Sequence, residues 1–164
     1  MHKQRFIIAI SALVGLLSVF LPWVSVSAFG MHLNSNAFGI SSSQTAAYIT
    51  IILFGIMALI SFLGHRLEPL KLASIYALVV ASGLALCHAS YDILTWNGKV
   101  NEIKGRLAQA STTKVTGTVG IGLYIILLAA LVVLIMGLIP LFRHYQSKGS
   151  YSTTIQGKVI EHKN

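Results

Sequence analysis

Acidic side chains are nearly missing from this chain: four Asp and Glu stand in 164 residues, against twelve Lys and Arg. Charged residues of both signs make up only 10%, where soluble domains carry about 25%. That shortage excludes a water-soluble fold, whose helices would be apolar all round with nothing left to cover them. Cysteine is as scarce. Cys87 stands alone, so no intramolecular disulfide forms and cysteine usage does not reveal the redox compartment. The thiol exchange of four-helix disulfide-forming membrane enzymes needs paired cysteines and is excluded for an isolated chain. Catalytic signatures are missing as well. The sequence has no glycine-rich phosphate loop, no His-Glu-x-x-His and no serine-nucleophile motif.

Apolar runs fill the space that charge leaves. Hydrophobic residues account for 55% of the chain. They gather in four spans, about residues 6–21, 45–63, 72–94 and 119–141 (Phe6 to Leu21, Thr45 to Leu63, Leu72 to Leu94, Val119 to Leu141). A helix needs roughly 20 residues at 1.5 Å each to cross the hydrocarbon core. The expected fold is therefore an all-α four-transmembrane-helix bundle. Residues 1–142 form one transmembrane domain, and residues 143–164 form a polar tail too poor in apolar side chains to build a core.

The net charge is +8, but the basic residues gather at span ends rather than on one face, which excludes a nucleic-acid partner. With both termini on one side, the N-terminal tail, the second loop and the C-terminal tail hold eight Lys and Arg, and the first and third loops hold four. The positive-inside rule then puts both termini in the cytoplasm. Met1 to Arg5, the following apolar run and Val26-Ser27-Ala28 also resemble a signal peptide, whose cleavage after Ala28 would leave three spans. The run from Phe6 to Val26 is long for such a segment, and Pro22-Trp23 fits a helix stop followed by an interfacial aromatic anchor. Trp96 is read as a second such anchor.

In the first loop Val24, Val26 and Ala28 alternate with polar residues, and Gly30 offers a turn. This period-two pattern predicts a small β-hairpin. Ala-Phe-Gly occurs at Ala28 to Gly30 and again at Ala37 to Gly39, and Phe29, Met31, Leu33 and Phe38 are expected to dock on the outer helix ends. In the third loop Val100, Ile103, Leu107 and Ala110 lie at helical spacing with Lys99, Lys104 and Arg106 elsewhere on the wheel. They predict a short amphipathic helix on the membrane surface, interrupted by Gly105 and followed by a polar loop at Ser111-Thr112-Thr113.

Span three is the unusual helix. Ala73, Ala77, Ala81, Ala85 and Ala89 repeat every fourth residue, a stripe suited to close helix packing in lipid. Its partner is another span or a second copy of the chain. Near its outer end His88 and Asp92 share a face, and Asp92 is the sole acidic residue in any span. An intramembrane carboxylate beside an imidazole is a candidate polar site that relays protons or forms a structural pair. Two ligands are too few for a metal, so no metal and no cofactor is expected; His32 is the one further candidate ligand. The missing mid-span carboxylate in spans one, two and four argues against a small proton-coupled exporter. Gly120-Ile121-Gly122 lacks the third glycine and the strand-to-helix setting of a nucleotide fingerprint, and reads as close packing, as do Gly55 and Ala58 in span two and Ala9, Ala12 and Gly15 in span one.

Phe20-Leu21-Pro22-Trp23-Val24, a Ser/Val-rich segment ending Phe29-Gly30 and a last span opening Gly120-Ile121-Gly122-Leu123-Tyr124 resemble small bacterial four-span membrane proteins. The resemblance implies a bacterial cytoplasmic membrane and no particular activity. The layout is also similar to claudin-like four-span proteins, but their paired loop cysteines are missing here, so no residue roles carry over. The functional expectation is a non-enzymatic membrane protein acting through contacts with lipid, a membrane-protein partner or a second copy. It would be an accessory subunit, an envelope-stress or toxin-protection factor, or a scaffold. The alternatives are a small oligomeric channel or transporter using His88 and Asp92, and then a membrane enzyme.

Overall fold

The computed structural model describes residues 2–28, 31–39, 43–63, 72–110 and 116–161. Four helices carry the fold: α1 (His2–Leu17), α2 (Gln44–Leu63), α3 (Leu72–Ala110) and α4 (Ile121–Glu161). Each contains a stretch long and apolar enough to cross a membrane: Lys3–Phe20, Gln44–Phe62, Leu72–Arg106 and Ile121–Arg143. This is the pattern of a multi-pass membrane protein. The outward faces agree, since Phe6, Ile52, Phe62, Val80, Leu84, Leu128 and Phe142 are all exposed. In water such a surface would be a liability, whereas in lipid it is the ordinary exterior.

The remaining elements form a three-stranded antiparallel sheet: β1 (Pro22–Ala28), β2 (Met31–Asn36) and β3 (Thr116–Val119), in the order β2-β1-β3. The expected hairpin is present, with Val26 opposite Leu33 and Ala28 opposite Met31. Its tip, Phe29 and Gly30, lies outside the described residues, as do residues 64–71, which include Arg66 and Lys71, and the loop 111–115. Val26 to Ala28, which resemble a cleavage site, are paired strand residues. The third strand was not expected. Thr116-Gly117-Thr118-Val119 alternates exposed and buried positions, and it pairs with β1 from Val24–Val119 to Ser27–Thr116.

Helix α1 passes into the sheet through a 3-10 turn at Ser18–Phe20. Pro22 has no N–H to continue a helix and biases Leu21 toward extended backbone, and Leu21 sits at φ −75°, ψ 159°. The Ser18 hydroxyl donates to the Gly15 carbonyl at 2.6 Å, so a fully buried polar group is satisfied locally. Thr50 and Ser82 do the same, donating to Ala46 at 2.9 Å and Val79 at 3.1 Å.

Glycines set the closest helix approaches. A Cβ on Gly15 would overlap the ring of Phe54, so α1 and α2 meet at that point. A Cβ on Gly137 would stand 2.9 Å from Val79 Cγ2, which marks where α4 lies against α3. By contrast nothing lies within 4 Å of a Cβ built on Gly55, so that glycine is not a packing site.

One expectation about α3 requires correction. The third loop contains no separate surface helix: α3 continues unbroken to Ala110. Val100 is buried against the sheet, Ile103 is largely exposed, and the side chains of Leu107 and Ala110 lie outside the described set. Within one chain the alanine stripe divides in two. Ala81, Ala85 and Ala89 are buried, but Ala73 and Ala77 are exposed. A step of four residues turns about 400° and drifts around the helix. The observed buried line is Ile75, Leu78, Ser82, Ala85, Ala89, Asp92, Trp96 and Val100, whose mixed steps of three and four stay on one side. That line faces α2 and α4 of the same chain and then β3. The C-terminal tail likewise continues α4 as helix to Glu161.

Candidate functional site

The sheet end of the bundle gathers the polar and irregular features. His88 and Asp92 lie one turn apart on α3, with His88 Nε2 3.4 Å from Asp92 Oδ2. The same nitrogen lies 3.2 Å from the Ala46 carbonyl oxygen in the first turn of α2. A carbonyl only accepts, so a bond to Ala46 requires hydrogen on Nε2. His88 therefore stitches α3 to α2. One N–H does not serve two acceptors well, and Asp92 Oδ2 is left buried without a hydrogen-bond donor among the described residues. Asp92 is 7% exposed. Such an orphaned oxygen costs about 1–3 kcal/mol.

Among the described residues no group of three or more His, Cys, Asp or Glu is placed to hold a metal ion. His32 stands exposed on β2. Cys87 is a free, exposed thiol on the neighbouring position of α3.

Above the pair, α3 supports the sheet. Trp96 and Val100 are nearly buried, and Lys99 Nζ sits 4.6 Å from the centre of the Trp96 ring, a cation–π contact. Farther along, Arg106 pairs with Glu102 at 2.6 Å on the exposed helix surface. A Cβ on Gly117 of β3 would stand 2.9 Å from Val100 Cγ1. The missing side chain at 117 thus lets the strand lie directly on α3.

Trp23, expected as an interfacial anchor, has no exposed surface at all, and Trp96 is also inside the protein. The indole N–H of Trp23 points to the Ser18 carbonyl at 3.4 Å. Its backbone carbonyl accepts from Gly120 N at 2.6 Å. A Cβ on Gly120 would overlap the Pro22 carbonyl, and one on Gly122 would stand 2.8 Å from the Trp23 ring. Pro22-Trp23 and Gly120-Ile121-Gly122, far apart in sequence, are thus one joint between α1, β1 and α4. A strand does precede these glycines and a helix follows, contrary to expectation. Even so, their open space is taken by Pro22 and Trp23, leaving no cradle for a phosphate.

Among the described residues, Phe38 is the one expected docking residue found in place; Phe29 lies outside them. Its ring lies 5.9 Å from both Phe20 and Tyr48, and it closes the turn after β2, where Gly39 N donates to Asn36 Oδ1 at 2.9 Å. Ser43 donates to the Ala37 carbonyl at 2.6 Å and ties that turn to the start of α2. Met31 and Leu33 do not dock. They are 63% and 69% exposed, because β2 is the outer strand and extends past the helices.

Paired residues share a face of the sheet. Val24, Val26, Gly117 and Val119 therefore form an apolar surface toward α3 that runs outward into Leu33 and Met31. The outward side of β2 has no strand partner among the described residues. The sheet end thus presents an open strand edge flanked by two uncovered apolar side chains. No protein-family model and no curated protein matches the chain, so the reading of this end rests on its geometry.

Proposed function

We propose that the protein is a non-enzymatic contact protein of a bacterial cytoplasmic membrane, an accessory subunit or scaffold that binds an extended segment of a partner protein along β2. The observation that supports this is the unpaired edge of β2 beside exposed Met31 and Leu33. Exposed edges with apolar side chains are normally blunted by charge, proline or a covering element. Neither charge nor proline stands on β2, whose sequence is Met31-His32-Leu33-Asn34-Ser35-Asn36, and no described element covers its outer edge. Strand addition uses such an edge, with backbone hydrogen bonds for affinity and alternate side chains for specificity. The positive-inside count puts both termini in the cytoplasm and the sheet on the outer side.

Photo-crosslinking amino acids placed singly at positions 31, 32, 33 and 34 in native membranes test this reading. Strand addition gives protein adducts whose yield alternates along β2 and falls when Met31 and Leu33 are both changed to lysine. Adducts with lipid alone, or protein adducts without alternation, refute it. A second reading, a small channel or transporter, is favoured only by the unpaired oxygen of Asp92. It requires a flux in reconstituted vesicles that Asp92→Asn abolishes.

A further inference from the structure

The end of the bundle opposite the sheet holds a feature that the contact reading does not use. Pro140 lies inside α4. Lacking an N–H, it leaves the Met136 carbonyl without its helical donor. The side-chain amide of Gln4 fills that role, donating from Nε2 to Met136 O at 2.5 Å. The start of α1 is thereby pinned to α4 across the bundle. Beside this link a cleft of about 550 Å³ opens between the two helices.

The lining of the cleft is sorted by depth. Ile7 and Ile139 give it apolar lining, one turn inside Lys3 and Arg143 along their helices. Both cations are exposed. They are also the terminal residues of the two candidate spans, Lys3–Phe20 and Ile121–Arg143. Two cations therefore sit at headgroup depth while the apolar lining lies at acyl-chain depth. Among the described residues no carboxylate lines the cleft. Among residues whose side chains are described, the acids Asp92 and Glu102 lie on the sheet-end half of α3.

We infer that this cleft binds an anionic phospholipid, with its phosphate between Lys3 and Arg143 and an acyl chain along Ile7 and Ile139. The apolar lining selects a lipid over a free phosphate, and a pair of cations with no carboxylate beside them among the described lining residues selects an anionic over a zwitterionic headgroup. Basic pockets between transmembrane helices are suited to such headgroups.

Native mass spectrometry of the full chain, released from detergent with added phosphatidylglycerol, cardiolipin or phosphatidylcholine, tests the site. The anionic lipids remain bound at low stoichiometry, phosphatidylcholine does not, and excess inorganic phosphate does not displace them. The double variant Lys3→Gln, Arg143→Gln weakens retention about 25-fold, from the loss of two headgroup-level cations. Lys99→Gln, at the other end, leaves retention unchanged. Equal retention of phosphatidylcholine, displacement by inorganic phosphate, or undiminished binding by the double variant each overturns the proposal. Should the double variant misfold, photoactivatable phosphatidylglycerol on the unaltered chain decides it: adducts within residues 3–7 and 136–143 support the site, and adducts elsewhere refute it.

Discussion

Replacing Gly120 with alanine puts a methyl group where the Pro22 carbonyl already sits. The nearest atoms to that methyl all belong to backbone: the Pro22 oxygen, the Pro22 carbonyl carbon and, at 2.7 Å, the Trp23 carbonyl carbon. Backbone cannot rotate aside as a side chain does, so β1 and α4 must separate. Overpacking of this kind costs about 1–3 kcal/mol, and the 2.6 Å bond from Gly120 N to Trp23 O adds about 1 kcal/mol when stretched. A total of about 2–4 kcal/mol corresponds to a fall of roughly 5–15 °C in the melting temperature of a chain this size. The assay is thermal unfolding of the purified protein in a mild detergent, followed by intrinsic tryptophan fluorescence, since Trp23 lies in the joint. Gly83→Ala is the internal control. Nothing lies within 4 Å of its Cβ, and alanine is the better helix former by about 1 kcal/mol, so this variant melts at or slightly above the unaltered temperature. Gly120→Ala melting within about 2 °C of the unaltered protein would mean that the Pro22–Gly120 joint does not hold α1 to α4.

Three further outcomes follow from the same geometry. His88→Ala removes the link to Ala46 and the imidazole beside Asp92; it costs about 1–3 kcal/mol, and adding Asp92→Ala recovers part of that loss, which a double-mutant cycle of chemical unfolding measures. Gln4→Leu orphans the Met136 carbonyl and lowers stability by about 1–3 kcal/mol; Gln4→Glu, which cannot donate when ionised, does the same in the same assay. Trp23→Ala empties a fully buried site and costs about 3–5 kcal/mol, whereas Trp23→Phe, which loses only the 3.4 Å bond to Ser18 and part of the ring, melts closer to the unaltered protein.

The helices were legible in the sequence because a membrane span is a long local signal. Predominantly apolar runs of sixteen to twenty-three residues leave few alternatives. The β1–β2 hairpin was legible for the same reason, since Val24, Val26 and Ala28 declare a period of two within a few residues. What escaped depends on partners far along the chain. Trp23 follows a helix-stopping proline and so resembles an anchor, but Gly120 and Gly122, about a hundred residues later, make the pocket that buries it. Thr116 to Val119 alternates as strands do, yet four residues are too short to stand out without β1 beside them. The continuity of α3 was hidden by Asn97-Gly98, which reads as a boundary. A Cβ on Gly98 would meet nothing within 4 Å; the glycine makes no turn there, and the helix absorbs its propensity penalty of about 1 kcal/mol. Of the candidate site, the His88–Asp92 pairing was readable from spacing, whereas Ala46 was not, because a backbone carbonyl has no residue type to mark it.

The connections at the sheet are very short. Leu21 alone separates the 3-10 turn after α1 from β1, and Gly120 alone separates β3 from α4. With α3 packed beneath β3 as well, neither of these two connections leaves a linker in which the sheet can swivel. A protein strand added to β2 would be held at a fixed height above the bilayer and a fixed angle to it. Binding at this edge would thus impose an orientation on the partner, which a domain tethered by a flexible loop cannot do.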